Sequence, residues 1–244
     1  MATKKSTTVV DKESKVDIPQ DITKCLFFQR FPYKLEDEQW EYIKAIWNPK
    51  NTGIFVNCKA GSSKTSIAVG MALLMCVEFH MYDKIYYIIN PSTETESIGY
   101  LPGSVQQKSS AFYTPLYQSI VSWGYNPDRI IATEENIDAI KDGTACVYPM
   151  PETFLRGTTL DNSIVLIDEF ENFDMRRAKK TLTRVGKNCK VIIMGCSTQC
   201  DLKYASDSAL PKYLNAIDNC DFIQEVKLTK NYRSEFSEWA DGVN

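Results

Sequence analysis

A strand, a loop of small residues and a helix follow one another between residues 53 and 79, and this succession constrains the fold more than any other part of the chain. Gly53–Asn57 is apolar enough for a buried strand, and Ile67–Phe79 carries apolar residues at helical spacing. The loop between them ends in a lysine and a threonine where the helix opens. Backbone N–H groups of such a loop hold phosphate, its lysine reaches the β- and γ-phosphates, and its threonine hydroxyl can bind Mg²⁺. The sequence therefore predicts a nucleotide site that contains Ala60, Gly61, Ser62, Ser63, Lys64, Thr65 and Ser66.

This loop departs from the G-x-x-x-x-G-K-[ST] pattern at both glycines, which are replaced by Cys58 and Ser63. Ser63 matters more, because the backbone there has to approach phosphate closely and is expected to need a positive φ. That conformation costs a residue with a Cβ atom about 1 kcal/mol or more. Binding with hydrolysis and binding with little turnover are therefore both open hypotheses for this loop.

Apolar strand-like runs alternate with helical segments along the rest of the chain. Further strands are predicted at Lys84–Asn90, Ile164–Asp168, Lys190–Met194 and Asp221–Leu228. Helices are predicted at Leu35–Trp47, Pro115–Trp123, Thr133–Ile140, Arg176–Val185, Leu210–Ile217 and Glu235–Gly242, and a loop at Ser92–Ser110. This alternation indicates an α/β fold with a parallel sheet and helices on both faces. We expect residues 1–20 to be a disordered polar arm and residues 21–244 to form a single domain.

Composition narrows the class of protein. The net charge of −3 and pI near 5.4 give no overall basic field for nucleic acid, although a local basic strip is compatible with them. The longest apolar run, residues 67–79, is too short for a membrane span, and the N-terminus lacks the apolar core of a secretory signal. Eight cysteines without a Cys-x-x-Cys pair, together with a single histidine, indicate buried thiols in a reducing cytoplasm.

Two acids end the most apolar strand of the chain. Asp168 is its last residue and Glu169 follows, at the sheet edge where ligands bind in parallel α/β folds. Asp168 is expected to hold Mg²⁺ through water, and Glu169 to polarise the water that attacks the γ-phosphate. Because the Lys64-Thr65 loop precedes them in the correct order, this pair favours ATP hydrolysis over a simple strand cap.

Three further polar residues follow or precede the predicted strands. Gln199 comes after the strand at residues 190–194, where its amide could sense the γ-phosphate. Arg233 comes after the last strand and suits the charge that develops on a transferring phosphoryl group. Gln39 lies on the helix before the first strand, where an amide could read adenine. Taken singly, each is a weak signal, and an ordinary loop or surface role is the simpler interpretation.

In this order the residues resemble the motif series of superfamily 1 helicase-like ATPases and, more closely, the PhoH family of phosphate-starvation-type ATPases in a short, phage-like form. The resemblance runs from about Leu35 to the C-terminus. Its most specific part is a pair of short elements that resemble the family's own, Ile98–Gly103 and Tyr113–Tyr117, and Phe154–Leu160 resembles a third family element.

The resemblance implies a RecA-like P-loop core that binds ATP with Mg²⁺ as a homo-oligomer, in the family a hexameric ring. It also implies a role on single-stranded RNA or DNA in the cytoplasm, that of a host cell if a phage encodes the chain. When the roles of the family's motif residues are transferred to the matching positions of this chain, Lys64 and Thr65 would hold phosphate and Mg²⁺. Asp168 would hold the metal, and Glu169 would act on water. Gln199 would be the sensor, Arg233 the arginine on phosphate, and Gln39 the adenine reader.

Two other functions compete with that of a PhoH-type ATPase. An ATP-binding regulatory switch with little hydrolysis is favoured by the degenerate loop. A GTPase or a small-molecule kinase is disfavoured, because no Asn-Lys-x-Asp signature follows the acidic strand and no arginine-rich lid segment is present.

Overall fold

In the computed structural model, residues 19–90, 110–133 and 136–243 are described, and they build one six-stranded parallel sheet. The strands are β1 (Gly53–Cys58), β2 (Lys84–Ile89), β3 (Val147–Pro151), β4 (Ser163–Ile167), β5 (Cys189–Gly195) and β6 (Ile223–Leu228). Their order across the sheet is β3-β2-β4-β5-β1-β6, and every neighbouring pair is parallel. The carboxyl ends of all six strands therefore lie at one edge, as the sequence predicts.

Helices cover both faces of this sheet, so the predicted α/β architecture is confirmed. They are α1 (Asp37–Trp47), α2 (Lys64–Leu73), α3 (Thr114–Ser122), α4 (Pro127–Ile130), α5 (Ile137–Lys141), α6 (Met175–Leu182), α7 (Leu210–Leu214) and α8 (Glu235–Asp241). Alternate residues of each central strand enter different cores: Ile54 packs with α1 and α2, whereas Phe55 packs with Phe170 and Leu210 on the other face. Each such large apolar side chain stabilises the fold by about 1.5–3 kcal/mol.

Strand β3 is not predicted from the sequence, because two prolines interrupt its short run. Pro149 and Pro151 lie opposite Tyr87 and Ile89 of β2. β3 is an edge strand, and a proline is tolerated there because its missing N–H is not needed by a further strand.

Several helix bounds also differ from the predictions. α1 begins at Asp37 rather than Leu35, because Glu36 and Gln39 form a reciprocal capping box at its start. α2 begins at Lys64 and gives way to a π-helical turn at Leu74–Glu78. α5 is shorter than the predicted helix at Thr133–Ile140, and α4, which opens with a proline, is absent from the predictions.

Helices α2 and α3 pack unusually closely. A Cβ atom on Gly70 would lie only 2.1 Å from Cε2 of Trp123, so only glycine fits there. The Trp123 indole N–H donates to the Ser66 carbonyl at 2.8 Å, and the Phe27 ring stacks on the indole at 4.8 Å between centroids. The first turn of α2 is thereby fastened to α3.

Some predictions concern residues outside the described ranges. These are the N-terminal arm as far as residue 18, the loop at Ser92–Ser110 except its last residue, and the Ile98–Gly103 element. Within the described ranges, no helix is long and apolar enough to cross a membrane.

Candidate nucleotide site

The loop between β1 and α2 turns back on itself at the carboxyl edge of the sheet. Gly61 and Ser63 both adopt left-handed backbone conformations, with φ of 75° and 66°. The positive φ expected at Ser63 is therefore present, and this serine carries the corresponding strain. Cys58, at the other glycine position, is buried, and its thiol donates to the Gly195 carbonyl at 3.3 Å. The Cys58 side chain therefore packs in the core and does not line the cleft.

The segment that contains Arg233 lies directly on this loop. The Tyr232 N–H donates to the Gly61 carbonyl at 2.9 Å. A Cβ atom on Gly61 would lie 2.3 Å from Asn231 Oδ1 and 3.1 Å from Arg233 Cγ. Gly61 is therefore needed both for its φ and for this close approach. The chain's own Arg233 reaches the loop, although about 170 residues separate them in the sequence.

Lys64 is almost buried and pairs with Glu169, with 3.3 Å between Nζ and Oε1. Burial alone would lower the pKa of Lys64, but the carboxylates of Asp168 and Glu169 outweigh it and raise that pKa. Burial likewise would raise the pKa of Glu169, but Lys64 lowers it below its usual value. The lysine is therefore charged and Glu169 ionised at neutral pH, as phosphate binding and general-base chemistry require.

Asp168 is held rigidly beneath the loop. Its Oδ2 accepts hydrogen bonds from Thr65 Oγ1 at 2.8 Å and from the Tyr87 hydroxyl at 2.6 Å. Burial raises the pKa of this carboxyl in spite of the nearby Lys64 charge. A hydroxyl oxygen beside a carboxylate oxygen is a donor set that fits Mg²⁺, which usually takes one or two protein ligands and completes its shell with phosphate and water. Thr65 and Asp168 are the residues that would hold it.

Glu171 is a site residue that the sequence did not reveal. It is buried beside Glu169, and its Oε2 has no hydrogen-bond partner in the described part of the chain. Burial, reinforced by the Glu169 charge, raises the pKa of Glu171 to about 9. Glu171 Oε2 also lies 2.8 Å from the position that a Cβ atom on Gly195 would take. A neutral carboxylic acid therefore lies behind the ionised Glu169, where it can donate a hydrogen bond.

A cleft of about 690 Å³ brings most of the predicted residues together. It is lined by residues of the phosphate loop from Ala60 to Ser66 and by Glu169, Gln199 and Arg233, together with Phe31, Pro32, Tyr33 and residues of α3. Gln199 is exposed there, on the turn after β5. Tyr33 is not among the predicted residues, and it presents a three-quarters exposed ring at the cleft.

Gln39 differs from the expectation and does not line the cleft. It is buried, and its Oε1 accepts a hydrogen bond from the Glu36 N–H at 3.0 Å. Its amide oxygen is occupied by capping α1, because Glu36 would otherwise leave a backbone donor unpaired at the helix start. The position that matched an adenine reader in the sequence thus has a capping role in the structure.

The parallel sheet, the phosphate loop that opens α2 and the acids after β4 define an α/β protein of the RecA-like P-loop NTPase class. Among solved structures, the large terminase from a thermophilic bacteriophage is similar in fold, with a TM-score of 0.54 over 85% of this chain and 50% of that one, at 13% identity. The model of a family described as PhoH-like protein matches residues 33–240, so the chain belongs to the PhoH family.

Curated relatives agree with that assignment. The chain is 34% identical to a PhoH-like protein of Synechocystis over 173 residues, which are 70% of this chain and 49% of the relative. It is 28% identical to Protein PhoH of Escherichia coli K12 over 194 residues, 80% of this chain and 52% of the relative. The chain thus spans about half the length of the curated relatives that it matches.

Proposed function

We propose that this chain binds ATP with Mg²⁺ and hydrolyses the γ-phosphate. The observation that carries the proposal is the convergence of four side chains at one loop: Thr65 donates to Asp168 beneath the loop, and Lys64 pairs with Glu169. A cation for phosphate, two oxygen ligands for a metal and an ionised carboxylate for water are the components that phosphoryl transfer to water needs.

In this proposal, each residue of the chain has a separate task. Backbone N–H groups of residues 61–65 and the Lys64 ammonium bind the phosphates, and Thr65 and Asp168 hold Mg²⁺, which neutralises charge on the phosphate oxygens. Glu169 accepts the proton of the attacking water. Arg233 supports the transferring phosphoryl group, Gln199 senses it, and the Tyr33 ring is available to stack on the base.

A second candidate is an ATP-dependent switch with little turnover. Two observations favour it: the strain at Ser63, and the Lys64–Glu169 ion pair, which phosphate has to displace before Lys64 can contact it. A turnover assay separates the two functions. Mg²⁺-dependent release of ADP that disappears in Lys64→Ala supports hydrolysis, whereas tight ATP binding without release of ADP supports the switch.

We further propose that the ATPase acts on single-stranded RNA or DNA in the cytoplasm as a homo-oligomer. Membership of the PhoH family and the helicase-like order of the site residues support this proposal. Release of ADP measured with and without single-stranded RNA or DNA tests the coupling, and light scattering at the assay concentration tests assembly.

A further inference from the structure

Helix α6 carries a concentration of positive charge that the nucleotide site does not use. Residues 174–187 and 152–161 together contain seven lysines and arginines and three acids, Glu152, Asp161 and Asp174, which gives a formal charge of +4. The whole chain has a formal charge of −3, so the remainder carries −7. Like charges placed together repel one another, so a basic surface on an acidic protein is a candidate site for an anionic partner.

The cations of α6 lie on one face of the helix. Arg176, Lys179 and Lys180 point away from Ala178 and Thr181, which are buried against the sheet. Within the described residues, none of these three cations forms an ion pair with a carboxylate. A helix rises about 1.5 Å per residue, so Arg176 and Lys180 stand about 6 Å apart along its axis.

Arg177 has a different task from its neighbours. Its Nε lies 3.6 Å from carboxylate oxygens of both Glu152 and Asp174, and its Nη1 donates to Asn90 Oδ1 at 3.2 Å. Two acids beside α6 are thus paired with one arginine, and the other cations of the helix have no carboxylate partner in the part of the chain that the structure describes.

The segment 152–160 runs beside α6 and adds an aromatic ring. At one end of the segment, Glu152 forms an ion pair with Arg177 of α6. At the other end, the Leu160 N–H donates to the Arg184 carbonyl at 2.9 Å. Between these ends, Phe154 is half exposed and Arg156 is exposed. An exposed phenylalanine beside an exposed arginine, in a segment that contacts a basic helix, is the kind of combination that single-strand binders use, with bases stacked on rings and phosphates on cations.

We propose that this surface, defined as the basic face of α6 with Phe154 and Arg156, binds single-stranded nucleic acid: Arg176, Lys179 and Lys180 contact phosphates, and Phe154 stacks on a base. The inference rests on the proposed ATPase function and names the surface through which its nucleic acid is held. RNA and DNA share the chemistry described, and a protein with an acidic surface is the competing partner.

Fluorescence anisotropy with labelled single-stranded RNA, and with DNA of the same sequence, tests the proposal over a range of salt concentrations. We expect Lys179→Glu/Lys180→Glu to weaken binding at low salt by at least about tenfold and to flatten the salt dependence, by about 0.7 in slope for each phosphate that is no longer neutralised. The matched control is Arg129→Glu/Lys141→Glu, which makes the same charge change at exposed residues of α4 and α5. The control should keep the affinity of the unchanged chain to within about twofold.

Phe154→Ala separates stacking from charge. It should lower affinity by about tenfold with the salt slope unchanged, and Phe154→Tyr should restore binding. Thermal unfolding of each variant verifies that the fold is intact.

Three outcomes would overturn the inference. Equal losses of affinity in the α6 variant and its control would show that net charge alone is acting, with the proposed ATPase function unaffected. Competition by polyglutamate as effective as that by RNA, together with no effect of Phe154→Ala, would assign the face to an acidic protein. Absence of binding by the unchanged chain would remove the nucleic-acid coupling itself, whereas Mg²⁺-dependent release of ADP tests the ATPase separately.

Discussion

Lys64 Nζ lies 3.3 Å from Glu169 Oε1, so the cation that should hold phosphate is paired with the carboxylate that should activate water. Each group stabilises the charged form of the other: the pKa of Lys64 is raised and the pKa of Glu169 is lowered. For ATP to bind in the cleft through Lys64, its phosphate has to replace the Glu169 carboxylate as the partner of the lysine. The same event would free Glu169 to contact water, which links substrate entry to activation of the base.

Glu169→Gln should leave ATP bound and reduce hydrolysis by about 10²- to 10⁴-fold, because the amide keeps the shape and removes the base. Asp168→Ala should instead weaken the Mg²⁺-dependent part of ATP binding. Calorimetry with and without Mg²⁺, combined with a single-turnover assay, measures both effects. Equal losses of ATP affinity in the two variants would contradict the separate roles assigned to these carboxylates.

Glu171→Gln should make the protein more stable at alkaline pH. The pKa of Glu171 is raised from 4.5 to about 9 by burial, so the folded chain keeps a proton that the unfolded chain loses near pH 4.5. Its contribution to stability is complete below pH 4.5 and declines as pH rises towards 9, on the order of 1 kcal/mol per pH unit. Glutamine has no proton to lose and still offers an N–H donor to Glu169.

Melting temperatures of the Glu171→Gln variant and the unchanged chain, measured from about pH 5 to about pH 9, should therefore diverge as pH rises. Glu171→Ala is the matched control, since it removes the donor to Glu169 as well as the proton. A difference in melting temperature that stays constant over this range would mean that Glu171 is ionised throughout.

Arg233→Ala should bind ATP and lose hydrolysis, by on the order of 10³-fold if the arginine acts as a finger on the phosphoryl group. In this chain Arg233 lies against its own phosphate loop, which favours action within one subunit. Mixing Arg233→Ala with Lys64→Ala tests this, because a neighbour's Arg233 could then complete an intact Lys64 site. Recovered activity in the mixture would show that the arginine is supplied across a subunit interface.

Ser63→Gly should raise the melting temperature of the chain. Ser63 already holds in the fold a left-handed conformation that costs a serine about 1 kcal/mol and costs glycine little. Thermal unfolding of both forms measures the effect, and Ser62→Gly in the same loop is the matched control. A lower melting temperature for Ser63→Gly would mean that the Ser63 side chain itself stabilises the loop.

The parts of the fold that follow local patterns could be predicted from the sequence. β1, β4 and β5 are short apolar runs, and the Lys64-Thr65 loop is recognisable by its residue types and its place before a helix. β3 could not be predicted in the same way, because its prolines contradict strand propensity and only its edge position makes them acceptable.

The site shows the same division. Asp168 and Glu169 follow directly from their strand, whereas Glu171 looks in sequence like a solvent-exposed acid, and only the packing against Gly195 makes it buried and neutral. Tyr87 is similar, since nothing in an apolar strand indicates that its hydroxyl will donate to Asp168. Gln39 shows the converse limit, because its position before the first strand does not reveal that its amide oxygen accepts a hydrogen bond at the start of α1.

The contact between Trp123 and the first turn of α2 gives the chain an optical reporter of its own. The indole is fully buried, and its N–H donates to Ser66, the last residue of the predicted phosphate loop. Indole emission depends on the polarity and hydrogen bonding around the ring, so any shift of this turn would alter the light that Trp123 emits. With the other three tryptophans replaced by phenylalanine, ligand binding at the loop could be followed in real time without a label.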